Sequence, residues 1–235
     1  TNNGNENTAV GESAFAINST GGQNVGMGGA AGYYNTTGVS NVAIGKGALV
    51  TNTTSSYNTA VGRDALYNAT GGWNTALGRN AANNLTTGSN NTVLGSSAQT
   101  STVTVSNEFT LGNASVTNLR CNDTTISSLS DARDKTNVVD IPLGLDFINK
   151  MRPVAFDWDR RDGSMQGRKD FGFIAQELKV IQDETDYAEH LRLVHEDNPE
   201  KLEADPMKTF PVLVKAIQEL STQNQELIAR IEALE

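Results

Sequence analysis

The run Ser130-Asp131-Ala132-Arg133-Asp134-Lys135 sets a hydroxyl and an amine close together in the chain. A serine hydroxyl is a weak nucleophile and must lose its proton as it attacks. A lysine can take that proton only if burial or nearby positive charge lowers its pKa from about 10.4 towards roughly 7–8. Arginine does not make that shift. Taken bare, the run is a weak signal, because Ser-Asp ahead of charged residues is commonly a turn or a helix N-cap.

Other candidate chemistry is thinner. The stretch Asp157-Trp-Asp-Arg-Arg-Asp-Gly163 has oxygen ligands but lacks the spacing and terminal Glu of a Ca²⁺ loop. His190 and His195 lie five apart in an acidic stretch. Glycosidase chemistry needs paired carboxylates in a cleft. The first 129 residues offer only Glu6, Glu12, Asp64, Glu108 and Asp123, which form no recurring pair. No metal and no cofactor are expected.

The charge balance narrows the partners. Against 27 Asp and Glu stand 18 Lys and Arg, a formal net charge of −9 over 235 residues. Such a chain is poorly suited to a phosphate backbone, so no nucleic acid is expected. No run approaches a membrane span, so no membrane insertion is expected. Cys121 is the one cysteine, which excludes an intrachain disulfide framework. The opening residues carry neither an initiator Met nor a basic and apolar leader, as expected of a piece of a longer protein.

The average hides two unlike halves. Residues 1–129 hold 18 of 22 Gly, none of 5 Pro, and 42 Asn or Thr, with 4 basic and 5 acidic residues. The remainder holds 14 basic and 22 acidic residues. A shift this sharp marks a domain boundary near Leu129.

The first half is periodic. The signature Asn-Thr-Ala-Val-Gly ends at Gly11 and returns, with small changes, at Gly28, Gly45, Gly62, Gly78 and Gly95. A degenerate copy, Glu-Phe-Thr-Leu-Gly, ends at Gly112. The intervals are 17, 17, 17, 16, 17 and 17 residues. An alanine follows each of the first six glycines by three: Ala14, Ala31, Ala48, Ala65, Ala81 and Ala98. This predicts a stacked solenoid of short strands and Asn/Thr/Gly turns, with φ > 0 carried by Gly and Asn. Asn18, Asn35, Asn52 and Asn68 fit the glycosylation pattern but read as turn or ladder asparagines. The repeats, over about residues 5–112, resemble the head repeats of YadA-type trimeric adhesins and the collar-like β-rolls of phage fibres. That resemblance implies a left-handed β-roll, three chains side by side, forming a rigid shaft.

The second half is mixed. Val154, Phe156 and Trp158 alternate as on a strand, residues 160–170 read as a charged turn, and residues 171–175 resume a strand that runs into a helix. Val116, Leu119, Cys121 and Ile126 suggest short strands in a connector. Four blocks stand in order: Ser130–Lys135, residues 142–159 with Gly144-Leu145 and Pro153-Val-Ala-Phe-Asp-Trp158, Gly172-Phe-Ile-Ala-Gln-Glu177, and Ala216-Ile-Gln-Glu-Leu220. Together they resemble the C-terminal intramolecular chaperone of phage tail spikes and fibres, the endosialidase type, a self-cleaving peptidase family. The resemblance covers about residues 127–222. It implies that Ser130 is the nucleophile and the first residue after the scissile bond Leu129–Ser130, with Lys135 as general base. Asp131 and Arg133 would support them, Asp131 by orienting the loop and Arg133 by depressing Lys135 or binding an oxyanion.

Leu213, Ile217, Leu220, Asn224, Leu227, Ile231 and Leu234 step by four and three, a heptad seam with Asn224 at an a position. Ile at a, Leu at d and a polar Asn suggest two strands on their own; the resemblance implies three. The expected fold is thus mainly β with α. A trimeric β-roll shaft (1–112) and a β-rich connector (113–129) precede an α+β chaperone (130–209) and a heptad helix (210–235). The expected function is a homotrimeric fibre or adhesin whose chaperone drives assembly and then cuts itself away. The alternative is a bacterial surface fibre that keeps the chaperone as an uncleaved cap. Partners would be identical copies and a host or prey cell-surface receptor. The place would be a virion tail fibre assembled in the host cytoplasm, or a bacterial cell surface.

Overall fold

The computed structural model describes residues 4–122, 127–161, 163 and 165–234. Asp123, Ile126 and Asp162 lie outside the described residues. The chain divides into two compact units, Thr1–Leu119 and Arg120–Glu235. The contact boundary thus falls upstream of the compositional one at Leu129.

The first unit is a solenoid of about six turns. Its strands are β1 (Thr8–Val10), β2 (Val25–Met27), β3 (Val42–Ile44), β4 (Thr59–Val61), β5 (Thr75–Leu77), β6 (Thr92–Leu94) and β7 (Phe109–Leu111). They pair in sequence order as one parallel sheet. Each signature aligns with the next, as in Val42↔Thr59 and Ala43↔Ala60. The middle residue points inward, so Ala43, Ala60, Ala76 and Val93 are buried, as are Ala31, Ala48, Ala65, Ala81 and Ala98. Small side chains are required because the rung is narrow. The third strand residue points outward and leaves an apolar column, with Val10, Met27, Leu77 and Leu111 each 44–55% exposed.

The first six signature glycines have φ between +122° and +137°, a region that L-residues avoid, and Gly112 of the degenerate copy has φ of +75°. A Cβ on Gly11, Gly28, Gly45, Gly62 or Gly78 would fall 2.4–2.8 Å from the backbone of the next signature glycine. Positive φ is not confined to Gly and Asn, however. Phe15, Leu49, Leu66, Tyr57 and Trp73 all sit at φ between +48° and +64°. The left-handed conformation costs about 1 kcal/mol at such residues. Rung-to-rung hydrogen bonds impose it, as where Leu49 N–H reaches Ala65 O at 3.0 Å.

The signature asparagines form a buried ladder. The side-chain oxygens of Asn7, Asn24, Asn41, Asn58, Asn74 and Asn91 each accept the backbone N–H of the residue one rung on, at 2.9–3.0 Å. Most also donate Nδ2 to a turn carbonyl, as Asn24 does to Gly38 O and Asn41 to Ser55 O. Glu108 ends the ladder, and its carboxylate accepts from Ser101 N–H and the Thr110 hydroxyl. A second ladder runs Asn18–Asn35–Asn52, all three buried. Asn68 does not belong to it. It follows Gly62 by six residues where the ladder position follows by seven, so Ala69 takes the buried place and exposed Asn68 donates instead to Asn83 O. Among the described residues two buried amide atoms are left without partners, Asn58 Nδ2 and Asn52 Oδ1, the latter facing the rung where Ala69 replaces an asparagine.

The connector differs from expectation. Among the described residues of 113–129 there is no strand, and Val116, Leu119 and Leu129 are 51–81% exposed. Among the described residues its apolar alternation has no strand with which to pair.

In the second unit α1 (Leu145–Lys150) leads to the antiparallel pair β8 (Val154–Asp157) and β9 (Lys169–Gly172), then to α2 (Ala175–Asp183) and α3 (Ala188–Leu191). A small pair, β10 (Val194–His195) and β11 (Glu203–Ala204), precedes the long α4 (Phe210–Glu232). Gly163 and Gly167 take φ of +75° and +71° in the hairpin turn. The core joins Phe147, Leu178, Ile181, Leu191, Leu193 and Val212. On α4 it is Val212 and Ala216 that face this core. The heptad seam faces outward, with Ile217 67%, Leu227 52% and Ile231 59% exposed.

Replacing Asn41 by Ala would remove two rung contacts and leave Asn58 N–H buried without an acceptor. The expected loss is about 3 kcal/mol, from unmet hydrogen bonds of about 1–3 kcal/mol each. Denaturant unfolding of the shaft would read it, and Asn68→Ala should lie within about 0.5 kcal/mol of the parent.

Candidate functional site

Ser130 and Lys135 meet through one short 3₁₀ turn, Ala132–Asp134. Asp131 starts the turn, accepting Arg133 N–H on its side chain at 2.9 Å. Lys135 closes it, its N–H donating to Ala132 O at 3.2 Å. The turn carries the lysine side chain back over the start of the run. Lys135 Nζ donates to Ser130 Oγ at 2.7 Å and to Ser130 O at 3.3 Å. The same line of approach serves transfer of the hydroxyl proton to a neutral amine.

The supporting residues take definite places. The Arg133 guanidinium grips Asp131 through Nε at 3.0 Å and a terminal nitrogen at 2.7 Å. That hydrogen bonding holds the Asp131 carboxyl below its ordinary range and raises Arg133. Asp131 therefore serves as the turn's cap. Arg133 makes no hydrogen bond to Ser130 or Lys135 among the described residues, and its side chain is 88% exposed. Ser130 and Lys135 are exposed, and Leu129 is 81% exposed. The peptide bond between Leu129 and Ser130 is open to an approaching surface.

The remaining blocks interlock. Gly144 precedes α1, and the Glu219 carboxylate accepts Leu145 N–H at 2.7 Å. A Cβ on Gly144 would collide with that carboxylate. Gly144-Leu145 and the Gln-Glu-Leu block of α4 are thus two halves of one contact, spanning 74 residues. Arg152 and Glu177 join the next two blocks by a two-pronged ion pair. Hydrogen bonding to Arg152 lowers the Glu177 pKa, and Glu177 in turn raises Arg152. Inside the core, Leu193 N–H donates to Gln182 Oε1 at 2.6 Å. Sequence reasoning missed Glu219, Glu177 and Gln182 as positioning residues, because each partner lies far away in the chain. The one local hint was a glycine directly ahead of an apolar helix start.

Among the described residues no group of three His, Cys, Asp or Glu is arranged to hold a metal. His190 packs against Tyr187 with ring centroids 5.5 Å apart. No helix among the described residues is long and apolar enough to cross a membrane.

The fold and this site define a β-solenoid followed by an α+β unit that opens on a paired serine and lysine. Residues 130–187 match the family described as chaperone of endosialidase. The match fits an endosialidase-type chaperone set after repeats and supports a chaperone role in fibre assembly. No curated protein and no solved structure matches the chain.

The depressed carboxyl at Glu177 carries a pH dependence. A group whose folded pKa is lowered stabilises the fold above its unfolded value and loses that contribution as pH falls through the folded one. Glu177→Gln should lower the unfolding midpoint of the second unit at pH 7. The gap from the parent should close between about pH 5 and about pH 3. Thermal unfolding across that range checks it.

Proposed function

We propose that the chain is the C-terminal part of a homotrimeric fibre whose chaperone cuts its own backbone between Leu129 and Ser130 after assembly. The observation that carries this is the 2.7 Å approach of Lys135 Nζ to Ser130 Oγ, beside that peptide bond.

Ser130 Oγ and the Leu129 carbonyl carbon can close a five-membered ring. The hydroxyl proton passes to Lys135 as Oγ adds to that carbon. Collapse expels the Ser130 nitrogen, which takes up a proton and becomes a free amine. The resulting ester between Leu129 and Ser130 is hydrolysed by water, leaving a carboxylate on Leu129 and restoring the hydroxyl. Lysine acts as base only when burial or nearby positive charge disfavours its ammonium. At this exposed pair a neighbouring copy of the chain can supply either, which ties cleavage to correct assembly.

Two outward apolar features support self-association: the strand column of the shaft and the heptad seam of α4. With 23 residues α4 is about 34 Å long, enough for a stable interchain bundle. A clamp at one end fixes register in repeats that could otherwise pair one unit out of step. Its removal leaves the shaft kinetically trapped. The fibre would stand on a virion tail or a bacterial surface and reach a cell-surface receptor.

Intact mass and denaturing gels test the cleavage. The parent should give pieces of residues 1–129 and 130–235, while Ser130→Ala and Lys135→Arg stay at 25.0 kDa. A Ser130→Ala chain cut at the same bond would sink the proposal. If the parent also stays whole in an assembled trimer, the chaperone is a permanent cap. Light scattering tests the oligomer: Ser130→Ala should run as three chains, and Ile217→Asp with Leu227→Asp should weaken association at least tenfold without unfolding the unit. A dimer would exclude the three-chain fibre.

A further inference from the structure

The shaft carries a groove of about 420 Å³ on the turns that follow β2, β3 and β4. That volume falls in the range of small-molecule sites. Its origin can be read from the repeat. The fifth position after the signature glycine is Tyr33, then Val50, then Tyr67 in successive rungs. The second position is Ala30, then Gly47, then Asp64. The middle rung therefore drops to Val50 and Gly47 where its neighbours carry larger groups. All three second-position residues share a left-handed backbone, with φ of +57°, +70° and +56°. A Cβ on Gly47 would stand 2.4 Å from Asp64 Oδ1 and 3.6 Å from the Tyr67 ring. Glycine there makes room for the Asp64 carboxylate on the groove floor.

Rung spacing selects what fits. Parallel strands lie about 4.8 Å apart, so Tyr33 and Tyr67 belong to rungs about 9.6 Å apart. Apolar contact needs about 4–4.5 Å on each side of an inserted layer, about 8–9 Å in all. One saturated six-membered ring laid over Val50 fits between those outer rungs, and its weakly positive C–H faces suit tyrosine π-faces. Tyr34 adds a third ring, 4.8 Å edge-on from Tyr33. The rim is polar. Asp64 is held by Arg63 at 3.0 Å and presents carboxylate oxygen to hydroxyl donors. Lys46 lines the groove and is exposed, with no ion-pair partner among the described residues.

We propose that this groove binds a pyranose ring bearing a carboxylate, a uronic-acid unit of an acidic polysaccharide, stacked between Tyr33 and Tyr67 with its carboxylate on Lys46. The site is complete in one chain and does not depend on cleavage. A trimer would repeat it three times, raising avidity where single-site affinity is weak.

Titration calorimetry of the Ser130→Ala chain would use two probes, tetragalacturonate and a glucuronate–N-acetylglucosamine tetrasaccharide, with maltotetraose as the neutral control. At least one acidic probe should bind saturably, at least tenfold tighter than maltotetraose. Tyr67→Ala and Lys46→Ala should each weaken it about tenfold. Trp73→Ala, which removes an exposed ring elsewhere on the shaft, should leave it unchanged. No saturable binding of either acidic probe, or equal binding of maltotetraose, overturns the proposal. So does a loss of self-association in Tyr67→Ala, which would make the groove a contact between copies.

Discussion

The shaft depends on one hydrogen bond repeated along its axis, from a buried asparagine oxygen to the backbone N–H one rung on. A rung of about 17 residues buries only a few alanines and one larger apolar side chain. That is too little to offset the entropy of ordering it alone. The amide ladder gives each rung a polar partner in the place where a larger protein would have a thicker core. It also explains the composition. Asparagine alone supplies a short acceptor that fits the narrow interior and a donor that reaches the turn carbonyl. Leucine could fill the space but would strand the neighbour's N–H.

The second unit uses long-range carboxylates for the corresponding purpose. Glu219 caps the start of α1 from the far side of the unit, and Glu177 ties the hairpin entry to α2. Both leave the heptad face of α4 and the Ser130–Lys135 pair outward. The unit spends its polar contacts on holding its own elements together. The surfaces that could meet other copies stay free.

The shaft was legible because its period is written in residue identity; spacing and the signature glycines were enough to place every strand. Asn68 was misplaced because it follows its signature glycine by six residues, not the seven of Asn18, Asn35 and Asn52, so Ala69 takes the buried column. The connector's alternation records a tendency to pair, whereas pairing needs a neighbour, and among its described residues no strand forms. The run from Ser130 to Lys135 was ambiguous by itself; Asp131 caps a turn, and that turn brings the lysine to the serine. The contacts of Glu219 and Gln182 were invisible, since no local pattern encodes partners so distant in the chain. Left-handed Leu49 and Leu66 went unforeseen because propensity gave way to the stacked backbone.

The short interval between Gly62 and Gly78 would bear on how identical copies align in the proposed assembly. A strictly uniform array has no landmark, and one rod slid past another by a rung sees nearly the same surface. One missing residue breaks that translational symmetry at a single height. Slid rods would set a shortened turn against full-length ones all round, leaving a notch on one side and crowding on the other. In the proposed assembly, the defect in the ladder would act as a fiducial mark internal to the shaft, present with or without the clamp.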